Sequence, residues 1–477
     1  MLEEAALKLR KILLLGLLVL AHATSMEAAP VFPVKYSTDR RYLVDQRNEP
    51  FPIMGRTAWF VLSLKPADYR VFVDDTAARG YSTIELHVLN HDPRGKHPPF
   101  NGKGDAPFRK RLNGLRWNGS LSYGNINAVG PDFTSPNEDY WRFVDEFLAY
   151  CESKGVLVLM FPAYVGFRGG TEGWMREMVA NGPAKMYKYG VWIATRYRDQ
   201  KNIVWMMGGD LGTPPFTFNN AQTVAESALL AGLKSVPSQQ STLFSAEWTR
   251  GSIATDQTLF GVAMSLNGVY AGASNVNELG RRAYSRVPTI PAFLLEEPYD
   301  EEGPDGNNIN KSATQPVRRF QWWGWLSTIG GYVSGNGYVW PFNPSWKAHL
   351  NTQGTRDMSR LNAFMRSVAW YDLIPSGLNG MRTLITMGGS SVSAEDYVAA
   401  AAARNGTLLV AYLPPAHGGS ITVDMAAMAR PARGRWFDPT DGLYVDIGSN
   451  LPNSGLRSFI SPGDNSANHR DWVLVLD

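Results

Sequence analysis

Asn202-Ile203-Val204-Trp205-Met206-Met207-Gly208-Gly209-Asp210 is the stretch that decides how this chain is read. An apolar run of strand length stops at two glycines, which admit a tight backbone, and a carboxylate follows at the tip. A second stretch has the same form, Ile290-Pro291-Ala292-Phe293-Leu294-Leu295 followed by Glu296-Glu297-Pro298-Tyr299-Asp300. Helical sequence separates the two, so both carboxylates are placed at the carboxyl ends of core strands.

Outward from these stretches, strand-like runs alternate with helical ones. Strands are predicted at Phe51 to Met54, Thr83 to Leu89, Val156 to Phe161, Ile203 to Met207, Thr242 to Ser245, Val262 to Leu266, Ile290 to Leu295 and Tyr332 to Ser334. Helices are predicted at Pro66 to Arg79, Glu138 to Lys154, Trp174 to Arg198, Ala221 to Lys234 and Pro316 to Thr328. The alternation predicts an α/β chain, a (β/α)8 TIM barrel, over residues 31–375, entered through a short N-terminal β-hairpin. A doubly wound sheet is disfavoured, because no Gly-x-Gly-x-x-Gly follows the first strand. The Gly-, Pro- and Asn-rich insertion from His91 to Pro136 follows the second strand, which puts it on the open face of such a barrel. After about Ser376 the pattern changes to short alternating runs, Thr407 to Tyr412, Ile421 to Val423 and Trp472 to Leu476, punctuated by turn residues. A small antiparallel β-sandwich is expected over 376–477.

Composition narrows the function. Of 477 residues 44% are apolar and 19% charged, and the net charge of +3 has no basic block, which argues against nucleic acid as a partner. Lys8, Arg10 and Lys11 precede an apolar run from Ile12 to Ala21 and small-residue cleavage options, Ala21-His22-Ala23 and Ala28-Ala29. Residues 1–29 therefore read as a signal peptide of a secreted or periplasmic protein, with no membrane span after its removal. The one cysteine, Cys151, excludes intramolecular disulfides and a cysteine zinc site. His87, His91 and His97 have a spacing that matches no standard metal site, and no cofactor is expected.

Two carboxyl groups across a barrel mouth are what hydrolysis of a glycosidic bond needs, one to protonate the leaving oxygen and one to attack the anomeric carbon or activate water. Asp210 is the candidate acid/base, since the glycines beside it leave room for substrate and burial near Trp205 would raise its pKa. Glu296 or Glu297 is the candidate nucleophile; neighbours on a strand face opposite sides, so only one of them reaches the mouth. Glu247, at the end of the fifth predicted strand, is a third carboxylate of this kind. Trp59, Trp117, Trp248 and Trp340 are candidate sugar platforms or, equally, packing under loops. The expected partner is a polysaccharide or oligosaccharide substrate.

Several segments resemble the apiosidase-like glycoside hydrolases, a bacterial barrel family with a C-terminal domain labelled collagen-binding. They are Gly55-x-Thr57-Ala58-Trp59, the Asn202 to Asp210 stretch, Glu296-x-x-Tyr299-Asp300, Trp322-Trp323, Gly330-Gly331-Tyr332, Gly337-Tyr338-Val339-Trp340, Trp436-Phe437-Asp438-Pro439 and Asp471-Trp472-Val473-Leu474. The resemblance implies Asp210 as acid/base and Glu296, rather than Glu297, as nucleophile, with Tyr299 beside it and Asp300 where the family has a second Glu. It also exposes departures. Arg56 stands where the family has Asp, and Glu247-Trp248 and Asn267-Gly268-Val269-Tyr270 replace its usual segments after the fifth and sixth strands. These positions would line the sugar pocket, so the bound sugar need not be apiose; alternatively Arg56 pairs internally with Glu85 or Glu247. The rival readings are a non-catalytic carbohydrate-binding protein and an adhesin that binds collagen through its C-terminal domain.

Overall fold

The computed structural model describes residues 28–121, 129–212, 217–237, 243–296, 298–302 and 314–477. The proposed signal segment, apart from its last residues, and Glu297 lie outside them. Among the described residues no helix is long and apolar enough to cross a membrane.

Eight strands make the barrel: β1 (Ile53–Thr57), β2 (Thr83–His87), β3 (Leu157–Phe161), β4 (Ile203–Gly208), β5 (Phe244–Glu247), β6 (Asn267–Tyr270), β7 (Ala292–Glu296) and β8 (Ile329–Ser334). They pair in parallel from β1 through to β5, and from β6 through β7 and β8 back to β1. At the β5–β6 seam, the Leu266 amide donates to the Phe244 carbonyl (2.9 Å) and the Gly268 amide to Ser245 Oγ (3.2 Å). Helices α1 (Pro66–Ala78), α2 (Glu138–Ser153), α3 (Met175–Arg196), α4 (Asn220–Ser235), α5 (Val276–Tyr284), α6 (Thr314–Thr328) and α7 (Gln353–Ser367) accompany the strands. In α2 the apolar residues at three- and four-residue spacing, Tyr140 to Cys151, are all buried.

One strand differs from the sequence expectation. Val262 to Leu266 is not β6; Gly261–Ala263 forms a short 3-10 turn, with Val262 85% exposed, and β6 begins at Asn267. An asparagine is tolerated there because its Oδ1 accepts from the Thr255 amide and hydroxyl (both 3.3 Å).

The C-terminal strands form two antiparallel sheets. A six-stranded sheet runs β9 (Leu373–Pro375), β11 (Ala399–Ala403), β12 (Leu409–Leu413), β17 (Trp472–Leu476), β14 (Ala432–Phe437), β15 (Tyr444–Leu451). A three-stranded sheet holds β10 (Ile385–Met387), β13 (Ser420–Asp424) and β16 (Leu456–Ile460). Strand alternation gives the larger sheet two dry faces. Ala399, Ala401, Val410, Tyr412 and Val473 pack with Trp322, Trp323 and Trp325 of the barrel helix α6, whereas Ala400, Ala402, Leu409, Ala411 and Leu474 face Ile421, Val423 and Phe459 of the smaller sheet. The run Ala399–Ala403 is thus a strand whose small side chains let a tryptophan-rich helix approach, and Trp322 stacks on Tyr412 at 5.8 Å between ring centroids.

Candidate active site

The two decisive carboxylates meet in one pocket. Asp210 and Glu296 both line a cavity of about 380 Å³ at the carboxyl ends of the barrel strands. Each is delivered by its backbone. Gly208 (φ 75°) and Gly209 (φ 140°) turn the chain out of β4 in conformations that side chains rarely adopt. A Cβ on Gly208 would lie 2.1 Å from the Glu247 carbonyl, and one on Gly209 would lie 2.7 Å from the Tyr164 ring. Gly208→Ala is expected to destabilise the protein by about 1–3 kcal/mol and to lose most activity, since the turn that carries Asp210 must shift. Urea unfolding beside kcat measurement checks both; full activity would show that the turn does not need glycine.

Asp210 is held at two points. Its amide donates to Tyr164 Oη (2.8 Å) and its Oδ1 accepts from the Gly212 amide (2.8 Å). Burial raises its pKa, against the Gly212 hydrogen bond and the nearby Arg250 and Arg94 charges. Glu296, the last residue of β7, accepts a hydrogen bond from the Tyr299 hydroxyl, which in turn accepts from Trp59 Nε1 (3.0 Å). Burial pushes Glu296 up to about 8, opposed by the Tyr299 hydrogen bond and reinforced by the charges of Asp210 and Glu302. Tyr270 pairs with Glu296 in the β6–β7 ladder and lines the same pocket.

Of the residues expected to contact sugar, Trp59, Tyr299 and Trp340 line this pocket. Arg56 does not. On β1 it alternates with Gly55 and Thr57 and points out to the helix layer, where it pairs with Asp75 (2.7 Å) and lies against the Phe72 and Tyr81 rings. The Glu85 and Glu247 pairing is also absent; Arg56 reaches neither. Trp117 is buried in the β2–α2 loop and donates to the Ser120 carbonyl (3.2 Å). Trp248 lies beneath Gly208, stacked on Phe260 at 5.2 Å, with its Nε1 donating to Ala254 (2.8 Å). Glu247 is fully buried behind Tyr164, whose hydroxyl donates to its Oε1 (3.3 Å). Burial and the neighbouring Glu296 and Asp210 charges drive its pKa well up, and it buttresses the tyrosine from behind.

The pocket also holds residues the sequence reading did not single out: Arg94, Tyr164, Arg250 and Glu302. Tyr164 and Arg250 each lie three residues past a strand end, the same positional signal that marked Asp210. Arg94 comes from the long insertion, bound to Asp92 (2.5 Å) and Glu172 (3.3 Å) and set over the Trp340 ring. His87 is wedged against Tyr164 (3.8 Å between centroids), and burial with the Arg94 charge keeps its pKa well below the usual range, so it is neutral. His91 is engaged with Glu177 (3.1 Å) and the Thr171 carbonyl (2.8 Å).

Comparison with known proteins agrees with this geometry. Residues 37–372 match the family model for the apiosidase-like catalytic domain, and residues 383–477 match a model named for a collagen-binding domain of a collagenase. Among solved structures, a glycoside hydrolase superposes with a TM-score of 0.72 at 19% identity, covering 93% of this chain and 96% of that one. A glycoside hydrolase family 5 structure from Bacteroides vulgatus ATCC 8482 does so with a TM-score of 0.72 at 18% identity, covering 93% and 92%. At such identity the likeness concerns the fold. No curated protein matches the chain. A barrel that sets two carboxyls at the ends of β4 and β7 over one pocket, and that matches the catalytic-domain model along its length, is a glycosidase, and the chain belongs to the apiosidase-like glycoside hydrolases.

Proposed function

We propose that this is an exported, retaining glycosidase that removes a sugar, a furanose for preference, from the side chains of a plant cell-wall or other complex polysaccharide. The observation that carries the reading is that Asp210 and Glu296, from the ends of two barrel strands, line one pocket. Asp210 gives its proton to the leaving glycosidic oxygen while a Glu296 carboxylate oxygen attacks the anomeric carbon, and the C–O bond to the aglycone breaks. Asp210, now ionised, takes a proton from water, whose oxygen displaces Glu296 and regenerates both groups. The Trp59–Tyr299–Glu296 chain steadies the charge on the nucleophile. The long insertion, whose Asp92 and Arg94 wall the pocket, favours attack at a chain end over attack within a chain. Export rests on the basic residues and apolar run of the first 29 residues.

The test is a screen of aryl glycosides and plant polysaccharides, with proton NMR of the anomer first released. A β-glycoside giving β-product, or an α-glycoside giving α-product, supports Glu296 as nucleophile; inverted product overturns it. Tyr299→Phe gives an independent check through pH. That hydroxyl lowers the Glu296 pKa, so its loss raises the pKa for forming the nucleophilic carboxylate. The acid limb of kcat/KM is therefore expected to move to higher pH in the variant, and an unmoved limb would separate Tyr299 from the nucleophile.

A further inference from the structure

Glu302 is a pocket carboxyl that the two-acid mechanism does not use. Its placement is built. Glu301 adopts a left-handed backbone (φ 59°), unusual for a side chain of this kind. That conformation sends successive carboxylates to different places. Glu301 goes to Asn336 Nδ2 (3.0 Å) and His349, while Glu302 goes to the pocket wall. Trp340 Nε1 donates to Glu302 Oε1 at 2.5 Å, which fixes the carboxyl in the wall. The loop after β8 closes down on it at Gly337, where a Cβ would lie only 2.7 Å from Glu302 Cγ. Non-glycine strain of this kind persists where the surroundings over-determine it, and it clusters at functional sites.

We propose that Glu302 is a specificity-determining residue that accepts hydroxyl groups of an uncharged sugar bound on the Glu296 side of the scissile bond. This rests on the hydrolase reading above. The same segment carries Glu296, Tyr299 and Glu302, and the Glu302 charge acts on Glu296. The excess of acidic groups over guanidiniums disfavours an acidic sugar. Five carboxyls line the pocket (Asp92, Glu172, Asp210, Glu296 and Glu302) against the guanidiniums of Arg94 and Arg250, and Arg94 is already paired with Asp92 and Glu172. The carboxyls outnumber the guanidiniums, and burial raises Glu296 to about 8 and Glu302 to about 7, so a uronate meets mostly acidic groups, whereas neutral hydroxyls find partners in them in either protonation state.

The experiment is calorimetric binding of D-apiose, L-arabinose, D-xylose, D-galactose and D-galacturonate to the wild-type protein, Glu302→Gln, Glu302→Ala and Trp340→Phe. A neutral sugar that binds the wild type is expected to lose about 10- to 100-fold in affinity on Glu302→Ala. Trp340→Phe, which frees the carboxyl without removing it, is expected to lose less, and galacturonate to bind at least about tenfold more weakly than galactose. Melting curves identify any variant that is unfolded, and the near-isosteric Glu302→Gln then decides. Sugar binding indifferent to position 302, or galacturonate bound as well as galactose, overturns this inference alone. A wild-type pocket that takes none of these sugars, with no aryl glycoside hydrolysed, overturns the hydrolase reading with it.

Discussion

Asp210→Asn is expected to lower hydrolysis of a glycoside with a poor, sugar-like leaving group by about 10²–10⁴-fold. It should spare most of the first-step rate for a dinitrophenyl glycoside, whose leaving group departs without a proton. The contrast is sharper than a bare loss of activity, because a merely structural role would depress both substrates alike. Glu296→Ala should abolish both. Added azide separates the two roles further: a small anion can enter the space left at either position. In the Asp210 variant it would attack the glycosyl-enzyme and give a glycosyl azide of retained configuration. In the Glu296 variant it would attack the substrate directly and give the inverted azide. Equal losses on both leaving groups, or no azide product, would remove Asp210 as the proton donor.

The pH profile belongs to the same prediction. Burial raises both carboxyls, Glu296 to about 8. Attack needs Glu296 ionised, so kcat/KM is expected to fall as pH drops through about 8, and an alkaline limb is expected where Asp210 gives up its proton. For Asp210→Asn on the dinitrophenyl substrate the alkaline limb should flatten, since no proton is then required.

Much of this site was legible before any coordinates, and the reason is positional. Asp210 and Glu296 each end an apolar run, and in a parallel barrel the end of a strand is the mouth. The same rule reaches Tyr164 and Arg250, three residues past β3 and β5, had it been applied to every strand end. What failed was inference about side-chain direction. Arg56 sits in a barrel strand next to Thr57, but one step of parity sends it to Asp75 and the helix layer. Trp117 and Trp248 show that an aromatic in a mouth loop is as readily a floor beam as a sugar platform, because an indole with its N–H bonded to a backbone carbonyl is satisfied when buried. Val262 carries the apolar signature of a strand and is among the most exposed residues described, so a short apolar run alone did not fix the register of β6. Glu302 and Arg94 depend on loop conformations that no local period encodes.

The other large effect lies far from the pocket, where the barrel meets the C-terminal sheets. Arg318 on α6 is fully buried. Its guanidinium donates to both oxygens of Asp471 (2.7 Å each) and to Asp357 of α7 (2.6 Å). Asp471 also accepts from the Tyr412 hydroxyl (2.9 Å) and Asn465 Nδ2 (2.8 Å), so its charge is hydrogen-bonded from both domains. Removing one member of such a network leaves a charge stranded in the dry interior, which costs about 3–5 kcal/mol. Asp471→Ala is therefore expected to remove a large part of a native stability of about 5–15 kcal/mol. The surface pair Arg433–Asp446, at 2.6 Å with side chains 52% and 66% exposed, is the control; Arg433→Ala should change stability by less than about 1 kcal/mol. Because the apolar cluster around Trp322 runs without interruption from α6 and α7 into β11, β12 and β17, the loss should appear in both domains at once. Urea unfolding followed by tryptophan fluorescence and by residual glycosidase activity should give coincident transitions, both at lower urea than in the wild type. A C-terminal unit that melts first while the barrel keeps full activity would show that the sheets are an independent appendage, and would restore adhesion as their purpose.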